Sequence, residues 1–390
     1  MTAGLPRVAL LIESSRTYGR GILRGIARYA HVNGPWSIYS QERELHSGIP
    51  DWLKNWDGDG IIARIEDRRM ASALLRLGHP IVDVLGNNRF DAIPGFDTDA
   101  HAVAQLAAEF FVRTGFRNLA YCGYRGIPFS DRREAAFCEF LVRQGRKVCV
   151  FSSRVSRHSA AHIQAVEQSG LGAEKAIAQW LREQPRPLGL FACNDVRAQQ
   201  VLNACREHGL KAPEEVAVIG VDNDDVLCNL CVPSLSSIEP DTERLGYEAA
   251  ALLDRLMKRR PVKSALKQIP PVGLVERGST DVLPIEDAIA VQALRFIRDR
   301  LAEGIAVKDV LKHVGRSRTD LEQRFRRWLR TSICQEILRQ RMDRACSLLQ
   351  QTDLDLEAVA ARSGLVSAAQ LCRLFRRRFQ CTPTAYRTRC

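Results

Sequence analysis

Residues 307–329 read VKDVLKHVGRSRTDLEQRFRRWL, and residues 356–379 read LEAVAARSGLVSAAQLCRLFRRRF. Laid fifty positions apart, the stretches match: Ser317 with Ser367, Leu321 with Leu371, Phe325 with Phe375, Arg326 with Arg376 and Arg327 with Arg377. Each opens with a short apolar-periodic helix, Val307–Val314 or Leu356–Arg362, followed by a turn holding Gly315 or Gly364. A serine then stands where it can N-cap a second helix, and in the first copy Asp320 takes the third helical position. The stripes Leu321, Phe325, Leu329 and Leu371, Phe375, Phe379 give each second helix one buried face. An amphipathic helix over about Ser332 to Leu349, with Ile333, Ile337, Ala345 and Leu348 inward, joins the copies.

Helix, glycine turn and basic helix make a helix-turn-helix unit, whose second helix enters the major groove of DNA. One such pattern is equally a helical bundle with solvated arginines; two in tandem favour a DNA-binding domain. The outward residues of the first unit are Arg318, Thr319, Glu322 and Gln323, and of the second Ala369, Gln370 and Arg373. Arg pairs with guanine, Gln with adenine and Glu with the cytosine amino group, so these are the expected base readers. Arg326, Arg327, Arg376, Arg377 and Arg378 are expected to hold phosphates, which positions the protein without reading sequence.

Charge is distributed accordingly. The 390 residues carry a net +12, and residues 285–390 hold 21 Lys and Arg against 12 Asp and Glu, or +9 of it. Basic charge confined to one segment is the footprint of a polyanion partner, and it leaves the front of the chain nearly neutral. No apolar run approaches the roughly 18 residues of a membrane span, and Met1 to Glu13 lacks the layout of a secretory leader. Twelve cysteines without framework spacing fit a reducing cytoplasm, which is the expected location.

From Pro6 to about Glu276, apolar strand-like runs alternate with helical patterns. The strands are expected at Val8–Ile12, Trp36–Ser40, Gly60–Ile65, Ile81–Leu85, Leu119–Cys122, Lys147–Phe151, Gly189–Ala192 and Val216–Val221. Helical stretches between them include Gly21–His31, Ala100–Arg113, Arg133–Arg143 and Val196–His208. Continuous apolar strands each followed by a helix imply parallel, doubly wound sheets, and this length implies two lobes. The expected architecture is a two-lobed α/β sensor over residues 5–280, a linker over 281–288 and an all-α domain with two helix-turn-helix units over 289–390.

Ligands of such sheets bind beyond the carboxyl ends of the strands. Glu13, Arg16 and Tyr18 follow the first strand, Asp97 and Asp99 lie near the lobe crossover, and Arg133 opens a helix. Asn194 and Asp195 follow one strand of the second lobe and Asp222 another. Carboxylates, guanidinium and carboxamides pair with the vicinal hydroxyls of a sugar, and an aromatic ring covers its apolar face. Several of these have a plainer reading: Asp195 as an N-cap, Asp222 as a turn former, Asp97 and Asp99 as helix starters, Tyr18 as packing.

Two resemblances sharpen the picture. The segment from about Ile289 to Arg389, ending in Phe375-Arg376-Arg377-Arg378-Phe379-Gln380-Cys381-Thr382-Pro383-Thr384-Ala385-Tyr386-Arg387, resembles the DNA-binding domain of AraC-type regulators, departing at Gln380-Cys381 where small residues are common. Phe191-Ala192-Cys193-Asn194-Asp195, Val218-Ile219-Gly220-Val221-Asp222-Asn223-Asp224 and Leu274-Val275-Glu276-Arg277-Gly278-Ser279-Thr280 resemble the ligand-binding core of LacI-type regulators and periplasmic sugar-binding proteins. With the sensor first and the AraC-type domain last, the chain is similar to regulators of pentose use. The resemblance implies a D-xylose-dependent activator, not an enzyme, that binds double-stranded DNA as a homodimer, engages RNA polymerase and needs no cofactor. By position in the LacI-type pattern it singles out Arg133 and Asp222 as hydroxyl ligands, with Asp195 next.

Other motifs compete with this. Gly19-Arg20-Gly21 with Gly25 has GxGxxxG spacing after the first strand, and Glu42 and Glu44 fall where a ribose-binding acid would lie. That keeps a nicotinamide-binding oxidoreductase or redox sensor with an appended DNA-binding tail as the alternative. Cys228 and Cys231 have metal or redox spacing without a second pair, and His158 and His162 lack a neighbouring glutamate, so no metal site is expected.

Overall fold

The computed structural model describes residues 5–43, 48–86, 92–154, 167, 170–260, 265–282, 287–329, 331–352 and 354–387. It divides into two compact units, Met1–Pro284 and Ile285–Cys390. Glu44, His158, His162 and the middle of the expected linker lie outside the described residues.

In the first unit the strands are, in chain order, β1 (Arg7–Leu11), β2 (Ser37–Ser40), β3 (Gly60–Ala63), β4 (Ile81–Asp83), β5 (Gly95–Thr98), β6 (Asn118–Arg125), β7 (Val148–Arg154), β8 (Leu188–Ala192), β9 (Val216–Val221), β10 (Ser236–Glu239), β11 (Leu266–Ile269) and β12 (Gly273–Val275). They form two six-stranded sheets, ordered β11-β5-β4-β3-β1-β2 and β12-β10-β9-β8-β6-β7. The first is wholly parallel; in the second β12 runs antiparallel to β10, an exception to the expected parallel pattern. Strands such as β3, β8 and β9 are buried along their whole length, as helices on both faces require.

The eight expected strands are present within a few residues of their expected bounds, while β5, β10, β11 and β12 are additional. The letters of β10 disguise it: Ser236 and Ser237 are fully buried, and their hydroxyls are satisfied by Thr280 at 2.6 Å and Asp195 at 2.6 Å. Buried hydroxyls with partners cost little, so a polar-looking run sits in the core of a sheet.

The chain crosses between the sheets after β5, after β10 and between β11 and β12. Backbone bonds tie these crossings together, from Asp99 N–H to the Ile269 carbonyl at 2.8 Å and from Val272 N–H to the Glu239 carbonyl at 2.8 Å. The helix Thr242–Met257 returns to the first lobe and packs against the helix Thr17–Asn33.

That packing accounts for the glycine motif. A Cβ on Gly21 would lie 1.9 Å from Thr242 Oγ1, one on Gly25 2.0 Å from the Glu243 carbonyl, and one on Gly246 2.0 Å from the Ile22 carbonyl. The glycines let two helix backbones touch, so the dinucleotide-loop reading gives way to a helix crossing. Cys228 and Cys231 are likewise structural: both are buried, and Cys228 Sγ contacts Asp195 Oδ2 at 3.5 Å.

The second unit is all helical, with helices at Ala288–Asp299, Val307–Val314, Arg318–Leu329, Ile333–Gln351, Leu356–Arg362, Ala368–Phe379 and Pro383–Arg387. Asp287 caps the first by accepting from Ile289 N–H and Ala290 N–H, so the end of the expected linker belongs to this fold. The long middle helix gives Ile333 and Ile337 to a core with Val310, Leu321 and Phe325. Its other half gives Met342, Ala345 and Leu349 to a second core with Val359, Leu371 and Phe375. Leu349, not Leu348, is the buried member of that pair.

Candidate ligand cleft and nucleic-acid interface

A cleft of about 640 Å³, counted out to its open mouth, lies between the lobes of the first unit. Glu13, Arg16, Tyr18, Arg64, Leu85, Asp97, Thr98, Ala100, Phe129, Arg132, Arg133, Glu167, Asn194 and Asp222 line it. Glu167 apart, each charged group arrives at the end of a strand or the start of a helix. Glu13 and Arg64 follow β1 and β3, Asp97 sits in the last turn of the pleat of β5, and Asp222 follows β9. Arg132 and Arg133 lie in the first turns of the helix Pro128–Val142.

Seven of the nine candidates come together here; Asp99 instead caps the helix Ala100–Thr114 by accepting from Ala102 N–H at 3.0 Å, and Asp195 is turned away. Its carboxylate is turned inward to Ser237 Oγ at 2.6 Å and Asp224 N–H at 2.9 Å. Nor is it the N-cap, because Asn194 accepts from Arg197 N–H at 2.9 Å and fills that role. Burial raises the affinity of Asp195 for its proton, and the neighbouring Asp222 adds to the effect. Asp195 therefore holds the loop of Asp222 and Asp224 in place. Arg64, Phe129, Arg132 and Glu167 were missed. Arg64 obeys the strand-end rule and could have been found; nothing in the sequence marks Glu167.

Among the described residues, side-chain bonds bridge the lobes at three points. Arg16 donates both terminal nitrogens to the Glu167 carboxylate, Arg132 Nη2 donates to Asp97 Oδ2 at 2.7 Å, and Thr17 Oγ1 donates to Asp224 Oδ2 at 2.9 Å. Asn194 Nδ2 also donates to Glu167 at 2.7 Å. Arg133 is nearly buried, donates to the Cys193 carbonyl and lies 5.2 Å from the centre of the Phe129 ring. Tyr18 OH shares a hydrogen bond of 2.9 Å with Thr98 Oγ1, and burial pushes its phenol well up.

Two features mark the walls as a binding surface. Glu13 accepts from Arg64 at 3.1 Å through Oε1, while its Oε2 is buried without a partner. A buried acceptor left open in this way is expected where a ligand supplies the donor. Asp222 sits at φ 112°, a backbone region that L residues rarely adopt and that concentrates at functional sites. Burial pushes the carboxyl of Asp97 up to about 6, against the opposing pull of Arg132, Thr98 N–H, Arg133 and Arg64. Asp222 is also raised by burial, opposed by Arg133 and Arg16. Glu13, Asp97, Glu167 and Asp222 face Arg16, Arg64, Arg132 and Arg133, so the lining charges balance. Such a cleft suits a neutral ligand with many hydroxyls.

In the second unit Ser317 and Ser367 accept from the backbone of Asp320 at 3.2 Å and Gln370 at 3.3 Å, which fixes the start of both second helices. Arg318, Thr319, Gln323, Arg326, Arg327, Ala369, Arg373, Arg376 and Arg377 are exposed, as groove-facing residues must be. Glu322 is half-buried, with Oε2 shielded and unpartnered. Gln370 departs from its expected role: its Oε1 accepts from Val366 N–H at 2.9 Å, so the carboxamide braces the turn. Arg378 departs too, since it pairs with Asp343 at 2.9 Å and lies against Phe379.

Three family models match the chain in succession: an XylR N-terminal domain over residues 7–99, a periplasmic binding protein-like domain over 108–280 and a helix-turn-helix domain over 310–389. The xylose operon regulatory protein of Haemophilus influenzae is 29% identical, with 100% of both chains covered. That of Escherichia coli K12 is 29% identical over 98% of this chain and 96% of its own. The solved structure of a xylose-binding transcription activator covers 100% of this chain and 99% of its own at 28% identity, with a TM-score of 0.79. The chain is a sugar-responsive transcription regulator. The regulator shares its sensor fold with a LacI family regulator from Enterococcus faecalis solved with ribose, at a TM-score of 0.56, 19% identity and 72% coverage of this chain. The three matched models stand in the order that the internal repeat and the strand pattern led to, with the helix-turn-helix domain last. The xylose operon relatives are regulators by name, not enzymes.

Proposed function

We propose that the cleft binds D-xylose, and that binding activates transcription of sugar-catabolic genes. The observation that carries this is a charge-balanced, hydroxyl-matching cleft in one chain with two basic recognition helices. The relatives named for the xylose operon, and the structural neighbour described as a xylose-binding activator, support the choice of sugar and the sign of the response.

Glu13, Arg16, Asp97, Arg133, Asn194 and Asp222 take the hydroxyls, and Tyr18 and Phe129 cover the apolar face of the ring. The sensor spans residues 5–280, and a linker from 281 leads to a DNA-binding domain that begins at its capping residue Asp287. Sugar shifts the balance between two lobe arrangements, and the linker passes that shift on. The regulator acts in the cytoplasm as a homodimer and engages RNA polymerase.

Titration calorimetry with D-xylose, L-arabinose, D-ribose, D-glucose and NAD tests the reading. Saturable binding of D-xylose is expected, and Asp222→Asn should abolish it while leaving basal DNA binding intact. Binding of NAD alone, or of none of the sugars, would overturn it.

A further inference from the structure

We infer that Val366 reads the methyl group of a thymine in the major groove and thereby sets sequence specificity for the second helix-turn-helix unit. This rests on the DNA-binding reading above. Val366 is 91% exposed, and no other large apolar side chain among the described residues exceeds 71%. It immediately precedes the N-cap Ser367, at the end of the recognition helix that presents side chains to base edges.

Its backbone and that of the turn after it are held at three points. The Val366 N–H donates to Gln370 Oε1 at 2.9 Å, the Ser367 hydroxyl accepts from Gln370 N–H, and Ala368 N–H donates to Glu357 Oε2 at 3.2 Å. The preceding Leu365 is buried. A β-branched side chain on a fixed backbone is stiff, so little freedom remains to be lost on contact. Ala369 and Arg373 stand four residues apart on the exposed face of the helix, and Val366, also exposed, stands just before its N-cap. Ala369 is small and leaves room for the valine to approach the base pairs.

The repeat sharpens the argument. Fifty positions earlier the same place is taken by Arg316, also exposed. The two units therefore offer different chemistry at equivalent positions, a cation in the first and an isopropyl group in the second. Valine has no donor or charge for a phosphate, and its N–H is already engaged. Among the groups on the floor of the major groove only the thymine C5 methyl is apolar.

The test uses the full chain. Binding sites are selected from a randomised duplex library, and each thymine in an enriched site is replaced in turn by deoxyuridine, which removes only the methyl. For the native protein, one replacement is expected to weaken binding about fourfold, the effect of burying one methyl group. With Val366→Ala that replacement should make no difference, while every other position responds as before. An unchanged helical circular dichroism signal establishes that the variant is folded. Equal responses of both proteins at every thymine would overturn the assignment, as would Val366→Ala binding the native site unaltered. If the library yields no enriched sequence, the DNA-binding reading fails first and this inference with it.

Discussion

The two terminal nitrogens of Arg16, in the first lobe, grip the two carboxylate oxygens of Glu167, in the second. The Glu167 side chain is only 4% exposed, against 32% for Arg16, so the carboxylate is shielded while the guanidinium stays partly in water. Parallel bonds of this kind fix geometry as well as adding attraction. Arg16→Met should weaken sugar binding about 10- to 100-fold, or roughly 1.4 to 2.7 kcal/mol, because the lobes lose a latch as well as a ligand contact. Small-angle scattering should show a more open sensor. Undiminished affinity in calorimetry would remove Arg16 from the site.

The carboxyl of Asp97, held up at about 6 by burial, gives the cleft a pH dependence. Protonation grows as pH falls through about 6, and a protonated Asp97 loses its pairing with Arg132 and one acceptor for a hydroxyl. Affinity should be level from pH 8 to 7 and decline below 6, and Asp97→Asn should make that decline shallower, leaving the part that Asp222, also raised by burial, contributes. The contribution to stability has the opposite sign. The folded carboxyl binds its proton more readily than the unfolded one, so the cost of this group is present above about 6 and is relieved as pH falls toward 4. A titration in which affinity held constant down to pH 5 would contradict the assignment.

Arg373 and Arg377 lie one turn apart on the second recognition helix, both exposed. Arg373→Ala should cost roughly 1 to 3 kcal/mol on the specific site and relax discrimination at one base pair. Arg377→Ala should weaken binding to all sequences alike and reduce the dependence on salt by about one ion. Competition assays with specific and random duplex distinguish these, and equal losses for Arg373→Ala on both would reject its role as a reader.

Gly364 and Gln380 both adopt left-handed backbone, at φ 72° and 55°. Gly364 cannot be replaced: a Cβ there would lie 1.9 Å from the Leu301 carbonyl. Gly364→Ala should destabilise the DNA-binding unit by about 2 to 4 kcal/mol. Gln380 ends the recognition helix where glycine would be relaxed, so Gln380→Gly should stabilise by about 0.5 to 1 kcal/mol. Thermal unfolding of the full chain, followed by helical signal, reads both; a loss of stability in Gln380→Gly would mean that its side chain holds the turn.

Much of this molecule was legible as text. The fifty-residue repeat, the serine caps and the Phe375 stripe are local, since helix periodicity and capping involve residues within a few positions of one another. The strands of the sensor core were legible because β-branched apolar runs have no other stable place. The rule that ligands sit at strand ends points to Glu13, Arg16, Tyr18, Asp97, Arg133, Asn194 and Asp222, which line the cleft, and equally to Asp99 and Asp195, which do not.

What the letters could not carry is which partner each polar group finds. Asp195 and Asp222 both follow strands of the second lobe, yet only the fold turns one toward Ser237 and the other into the cleft. Glu167 reaches Arg16 across 151 positions, and Gly21 meets Thr242 across a helix crossing that no spacing rule foretells. Gln370 looked like a reader of adenine until its carboxamide was found bonded to Val366 N–H. Propensity, pattern and charge are properties of short segments, so the sequence alone determined the elements, their order and the two kinds of domain. Hydrogen-bond satisfaction of buried groups is settled by distant neighbours, so only the tertiary structure decided which candidates face the ligand and which hold the wall behind them.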